Sequence, residues 1–127
     1  MAKSAAILVV EDDPLVQAVI RLQLENHGHS VMIAEHSAEA KRLLDELDGD
    51  FQLLIIDSGL PIQSGESVAM ELKGRFPEAG VLMISGYPEE RRRDESTKSD
   101  LPFLQKPFTG AQLVQKVDEL LAKQNSN

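Results

Sequence analysis

The stretch "LLIIDSGLP", residues 53–61, decides the fold. Leu53, Leu54, Ile55 and Ile56 form a short, purely apolar run, the pattern of a strand buried on both faces at the centre of a parallel sheet. One carboxylate follows at once, Asp57, and then Gly59 and Pro61 mark a turn. A buried strand has no packing use for an acid at its tip, so Asp57 calls for a chemical reason.

Outward from this strand the pattern alternates. "AAILVV" (5–10) reads as another strand buried on both faces, and "VMIA" (31–34), "VLMIS" (81–85) and the short "PFLQK" (102–106) read as three more, with the central one over 51–57. Between them lie helical periodicities. Residues 14–28 carry Val16, Val19, Ile20 and Leu24 on one stripe, started by Asp13 as N-cap with Pro14 behind it and stopped by Gly28. Ser37 to Asp48 turns Ala40, Leu43, Leu44 and Leu47 inward, with Ser37 as the expected cap. Residues 66–76 bury Val68, Leu72 and Phe76, and Pro77 ends that helix. Residues 109–123 open on a Thr109/Gln112 capping box and bury Leu113, Val117, Leu120 and Leu121.

Strands alternating with helices predict an α/β fold, a doubly wound parallel sheet with helices on both faces. Right-handed crossovers and five strands suit the flavodoxin-like order 2-1-3-4-5. One place breaks the alternation. Residues 88–100, "PEERRRDESTKSD", hold no apolar stripe, so the fourth helix expected there reads as a solvated loop or a short, poorly ordered helix. No internal repeat or linker interrupts the chain, which predicts a single domain over 1–127 with its core at 5–123.

Composition narrows the function. The chain has 127 residues, no Cys, 4% aromatics and a formal net charge of −8. Thiol metal sites and disulfides are excluded. An acidic chain without aromatic platforms is not expected to bind nucleic acid. No apolar run reaches membrane-spanning length, and the N-terminus lacks a signal-peptide cleavage pattern, so a cytoplasmic location with no membrane contact is expected. His27, His29 and His36 read as turn and surface residues rather than metal ligands. Met70 and Met83 read as core filler.

In an open α/β sheet, ligands bind beyond the carboxyl ends of the strands at the switch point of strand order. The first strand ends in Glu11 and Asp12, the third in Asp57, the fourth in Ser85 and the fifth in Lys106. The first and third strands are neighbours in this order, which gathers three carboxylates at one rim. Such a cluster needs a cation, and hard oxygen donors with water left in the shell suit Mg²⁺. Asp57 can then attack phosphorus and form an aspartyl phosphate, with the Ser85 hydroxyl and Lys106 ammonium holding the phosphoryl oxygens.

These residues, in the stretches "ILVVEDDP", "LLIIDSGLPIQSG", "VLMISGY" and "FLQKPF", resemble the receiver domain of two-component response regulators in order and spacing across nearly the whole chain. The resemblance implies Asp57 as phospho-acceptor and Glu11 and Asp12 as the acidic pair, Asp12 touching Mg²⁺ directly and Glu11 through water. It implies the Gly59 carbonyl as a further metal ligand, Ser85 and Phe103 as switch residues, and a cis peptide at Lys106-Pro107. It implies a histidine kinase or histidine phosphotransfer protein as phosphoryl donor, a possible downstream protein partner, and a signalling module rather than a turnover enzyme. "SGYPEE" and "FLQKPFT" look most like receivers attached to hybrid histidine kinases. The departures are Glu11 where Asp is commoner, Ser85 for Thr, Gly86 for Ala, and Gly59, which offers no side chain to shield a phosphoryl group, leaving Tyr87 as a candidate cover. The chain closes just after its last helix, so no output domain is expected in it. Without a packed helix at 88–100, partner contact is expected on the first helix beside the site.

Three other readings are weaker. A non-phosphorylated binding module of the same fold would have lost one of Glu11, Asp12, Asp57, Ser85 or Lys106. A Mg²⁺ phosphohydrolase would need a second acid where Gly59 stands. A flavin binder would need a phosphate cradle where Glu11-Asp12-Asp13 repels phosphate.

Overall fold

The computed structural model describes residues 4–60, 64–86 and 101–125. Five strands, β1 (Ala6–Val10), β2 (Ser30–Ala34), β3 (Leu53–Asp57), β4 (Gly80–Ser85) and β5 (Phe103–Gln105), form one parallel sheet in the order β2-β1-β3-β4-β5. Helices α1 (Pro14–Asn26), α2 (Ser37–Leu47), α3 (Gly65–Arg75) and α4 (Gly110–Asn125) connect and cover it. The predicted α/β architecture and strand order are therefore present. The expectations for residues 88–100, including the fourth helix, and for Tyr87 and Pro61 lie outside the described residues.

Alternation along the strands divides the core into two layers. Leu8, Val10, Leu54, Ile56 and Met83 pack with Ala40 and Leu44 of α2 and Val68 and Leu72 of α3. Ile7, Val9, Leu53, Ile55, Leu82 and Ile84 pack with Ile20 and Leu24 of α1 and Leu113 and Val117 of α4. Every residue of β3 is buried, as its uninterrupted apolar run predicts. That strand is the rigid rod that carries Asp57 to the rim.

The helix starts follow local chemistry. Asp13 caps α1 by accepting the Leu15 N–H at 2.9 Å, and Pro14 sits in the first turn where its missing N–H costs nothing. The capping box at α4 is reciprocal: Thr109 Oγ1 accepts from the Gln112 N–H at 3.0 Å, and Gln112 Oε1 from the Thr109 N–H at 2.8 Å. At α2 the cap is His36 rather than Ser37. The His36 Nδ1 accepts the Glu39 N–H at 3.1 Å, a ring nitrogen acting where a Ser or Asp oxygen is commoner. Two apolar residues also differ from expectation. Val19 is 39% exposed and Met70 55%, because each stands to one side of its helix's buried stripe, whereas Met83 is core.

Candidate functional site

Three strand ends meet at the carboxyl rim. Glu11 is the residue after β1, and its N–H extends the ladder to the Ala34 carbonyl at 3.0 Å. Asp57 closes β3, and the adjacent Ser58 N–H is held by the Ile84 carbonyl of β4 at 2.8 Å. Lys106 follows β5, its N–H donating to the Ser85 carbonyl at 2.7 Å. The Lys106-Pro107 peptide is cis, as the resemblance implied.

These backbones bring Glu11, Asp12 and Asp57 together, with one carboxylate oxygen from each within 4.8 Å of the others. Glu11 is fully buried, Asp57 nearly so and Asp12 exposed. Lys106 Nζ lies 2.9 Å from Glu11 Oε1 and 3.3 Å from Asp57 Oδ2. The second oxygens of Glu11 and Asp57 are also engaged: Glu11 Oε2 accepts the Asp13 N–H at 3.0 Å, and Asp57 Oδ1 accepts the Gly59 N–H at 3.1 Å. Burial pushes the Glu11 carboxyl above its ordinary range, aided by the charge of Asp57 and opposed by Lys106 and the Asp13 N–H. Burial alone would pull the Lys106 ammonium down, but Glu11 and Asp57 outweigh it and hold it above its ordinary value. Lys106 is thus a fixed cation among acids.

Ser85 is fully buried at the end of β4. Phe103, half-buried in β5, pairs with Met83 in the register that sets Ser85 opposite Gln105. The structure thus gathers Glu11, Asp12, Asp57 and Lys106 into direct proximity and places Ser85, Gly59 and Phe103 on the flanking backbone.

The cluster fits a hard divalent cation by its donors. It offers carboxylates only, and Glu11 Oε1, although beside Lys106 Nζ, has no aligned hydrogen bond despite its burial. A second group, His27, His29 and Asp118, also lies within 4.8 Å. His29 is buried, a correction to its reading as a surface residue, because it plugs the start of β1: its Nδ1 accepts the Ala5 N–H at 3.1 Å. That bond leaves the neutral ring's proton on Nε2, which presents a hydrogen rather than a lone pair. Among the described residues His29 Nε2 has no hydrogen-bond partner, while His27 Nε2 lies 3.3 Å from both Asp118 carboxylate oxygens.

Two supporting residues escaped the sequence reading. A Cβ on Gly65 would lie 1.9 Å from the Asp57 carbonyl oxygen, so α3 starts directly on the end of β3. Gln17 Nε2 donates to the Glu11 carbonyl at 2.6 Å. Gly65 was visible only as a glycine before a helix, and Gln17 as a polar residue on an amphipathic one.

A five-stranded parallel sheet in this order, with an acidic pair, a strand-end aspartate and a lysine at its carboxyl rim, defines a receiver-type α/β module. The chain belongs to the response regulator receiver domain family, whose pattern matches residues 7–118. Among proteins of known identity it is 31% identical over 126 residues to the sensor kinase CckA of Brucella abortus, covering 98% of this chain and 13% of that protein. It is 28% identical over 127 residues to the transcriptional regulatory protein AruR of Pseudomonas aeruginosa, covering 97% of this chain and 52% of AruR. The chain therefore spans about half or less of these relatives. In structure it resembles a response regulator receiver domain protein of Clostridium thermocellum, with a TM-score of 0.84 and 25% identity over 95% of this chain and 97% of that one. Among the described residues, no helix is long and apolar enough to cross a membrane.

Proposed function

We propose that residues 1–127, with a core over 5–123, form a single phospho-accepting receiver domain in a two-component phosphorelay, with Asp57 as the acceptor. The observation that carries this reading is Lys106 Nζ, placed 2.9 Å from Glu11 and 3.3 Å from Asp57 at a rim that also holds Asp12. An Asp57 carboxylate oxygen attacks the phosphorus of a phosphohistidine. The new O–P bond forms as the N–P bond breaks, and the departing imidazole keeps the electron pair and takes a proton from solvent. The Lys106 ammonium and the Ser85 hydroxyl take the phosphoryl oxygens. Mg²⁺, held by Glu11, Asp12, Asp57 and the Gly59 carbonyl, would neutralise the charge that acids and phosphoryl group share. Ser85 drawn toward the phosphoryl group, with Phe103 rotating behind it, shifts the protein between two surfaces.

In this reading the module acts in the cytoplasm as a signalling domain that promotes its own phosphorylation and dephosphorylation. Its donors are a histidine kinase or a histidine phosphotransfer protein, its output a downstream protein, and neither nucleic acid nor membrane is its partner. Likeness to CckA over nearly the whole chain favours one specific version, the receiver domain of a hybrid sensor histidine kinase.

The test is intact mass after incubation with Mg²⁺ and acetyl phosphate. One added phosphoryl group, absent in Asp57→Ala, is the expected result. Absence of any gain with every donor tried points to a non-phosphorylated binding module. Steady phosphate release without accumulation points to a phosphohydrolase.

A further inference from the structure

We infer that Gln17 is a positioning residue for the acidic cluster, acting through the Glu11 carbonyl on the peptide that joins Glu11 to Asp12. The inference rests on the receiver reading above. Glu11 stands where β1 stops and the chain turns toward α1. Its N–H still reaches the Ala34 carbonyl, at 3.0 Å. Its residue is fully buried, so its carbonyl needs a partner of its own. That partner is a side chain from the first turns of α1: Gln17 Nε2, 2.6 Å away.

The other bonds in this turn are local. The Asp13 N–H is held by Glu11 Oε2 at 3.0 Å, and the Leu15 N–H by Asp13 Oδ1 at 2.9 Å. The backbone of Gln17 is itself fixed, its N–H donating to the Asp13 carbonyl at 2.9 Å. Gln17 therefore ties the peptide bearing Asp12 to the body of α1 rather than to the turn. Rotation of that peptide would swing the exposed Asp12 carboxylate relative to the buried Glu11 and Asp57. A neutral amide fixes it without adding positive charge beside carboxylates suited to a cation. The residue types fit this role: glutamine has the reach and a donor, and no charge.

Gln17→Met keeps length and apolar contacts and removes the donor. In the full chain, the Mg²⁺ dissociation constant is measured by calorimetry, and phosphoryl uptake from acetyl phosphate is followed at low and saturating Mg²⁺. Exchange of the Asp12 and Asp13 amides is measured without metal. The variant is expected to bind Mg²⁺ about tenfold more weakly, the scale of losing a partner that orients a ligand. Its uptake rate at saturating Mg²⁺ should stay within about twofold of wild type, and the two amides should exchange faster. Unchanged affinity and unchanged exchange would overturn the inference, as would an equal loss at low and saturating Mg²⁺ accompanied by a lower melting temperature. If the wild type neither binds Mg²⁺ nor gains a phosphoryl group, the receiver reading falls and takes this inference with it. If the wild type does both and Gln17→Met matches it, the positioning role alone fails.

Discussion

At the scale of single residues, Glu11 shows how a site can be held together at a cost to the fold. Its carboxyl is fully buried and its protonation is pushed upward, first by burial and then by the charge of Asp57, against the pull of Lys106 and the Asp13 N–H. A carboxyl whose folded pKa is raised favours the fold fully below its unfolded value of 4.5, and that contribution is lost as pH rises through the folded value. The ionised Glu11 thus weighs against folding at neutral pH. Glu11→Gln removes that charge and keeps the shape. Without divalent cation, its melting temperature relative to wild type is expected to rise as pH goes from about 5 to 8 and to converge near pH 4.5. Thermal melts across that range check it, and a gap that shrinks with rising pH would show that Lys106 fully compensates the burial. On the receiver reading the same variant takes up phosphoryl groups more slowly, so stability and function move in opposite directions.

At the scale of elements, the junction between β3 and α3 is a close backbone approach at the site that leaves no room for a side chain. A Cβ on Gly65 would lie 1.9 Å from the Asp57 carbonyl oxygen and 2.8 Å from Ser58 Cα, both backbone atoms that cannot turn aside. Gly65→Ala must therefore push α3 off the strand end, at an expected cost of about 1–3 kcal/mol, the scale of overpacking a close contact. Urea unfolding measures it, and a cost below about 0.5 kcal/mol would mean that the junction yields freely. This contact explains what sequence alone could and could not supply. The strand runs, the Asp13 cap, the Thr109/Gln112 box and the acids at strand ends are periodic or local signals, and each is read within a few residues. Rim assembly of Glu11, Asp57 and Lys106 followed from strand order, because a parallel sheet aligns its carboxyl ends. The demands on Gly65 and Gln17, and the burial of His29, arise from segments that meet only after folding. His29 sits between turn and strand in sequence, and only its bond to the Ala5 N–H reveals it as a plug. His36 replaced Ser37 as cap because both residue types can accept the same N–H, and backbone dihedrals decide between neighbours.

At the scale of the whole molecule, the two layers leave an apolar stripe on α1 uncovered. Along α1, Leu15, Val19 and Leu22 are 73%, 39% and 58% exposed. Their spacing puts them on one stripe of the helix. Leu15, Val16 and Val19 join Pro107 and Phe108 in a groove that also contains Lys106. An exposed apolar stripe costs solubility and is retained where something docks. Its position beside the acidic rim fits the phosphohistidine-bearing partner of the receiver reading, one that must bring that group to Asp57 while resting on the protein nearby. A small phosphodonor needs the rim but not the groove. Leu15→Asp is therefore expected to slow transfer from a phosphorylated histidine phosphotransfer protein by about tenfold or more, the loss of one interface anchor, while uptake from acetyl phosphate stays within about twofold of wild type. Parallel kinetics with the two donors separate the effects. An equal loss with both would place the damage in the site itself, and no loss with either would move the docking surface away from α1. The split result would show that chemistry and recognition occupy adjoining but separable parts of one rim, the first set by strand ends and the second by a helix face that the core does not use.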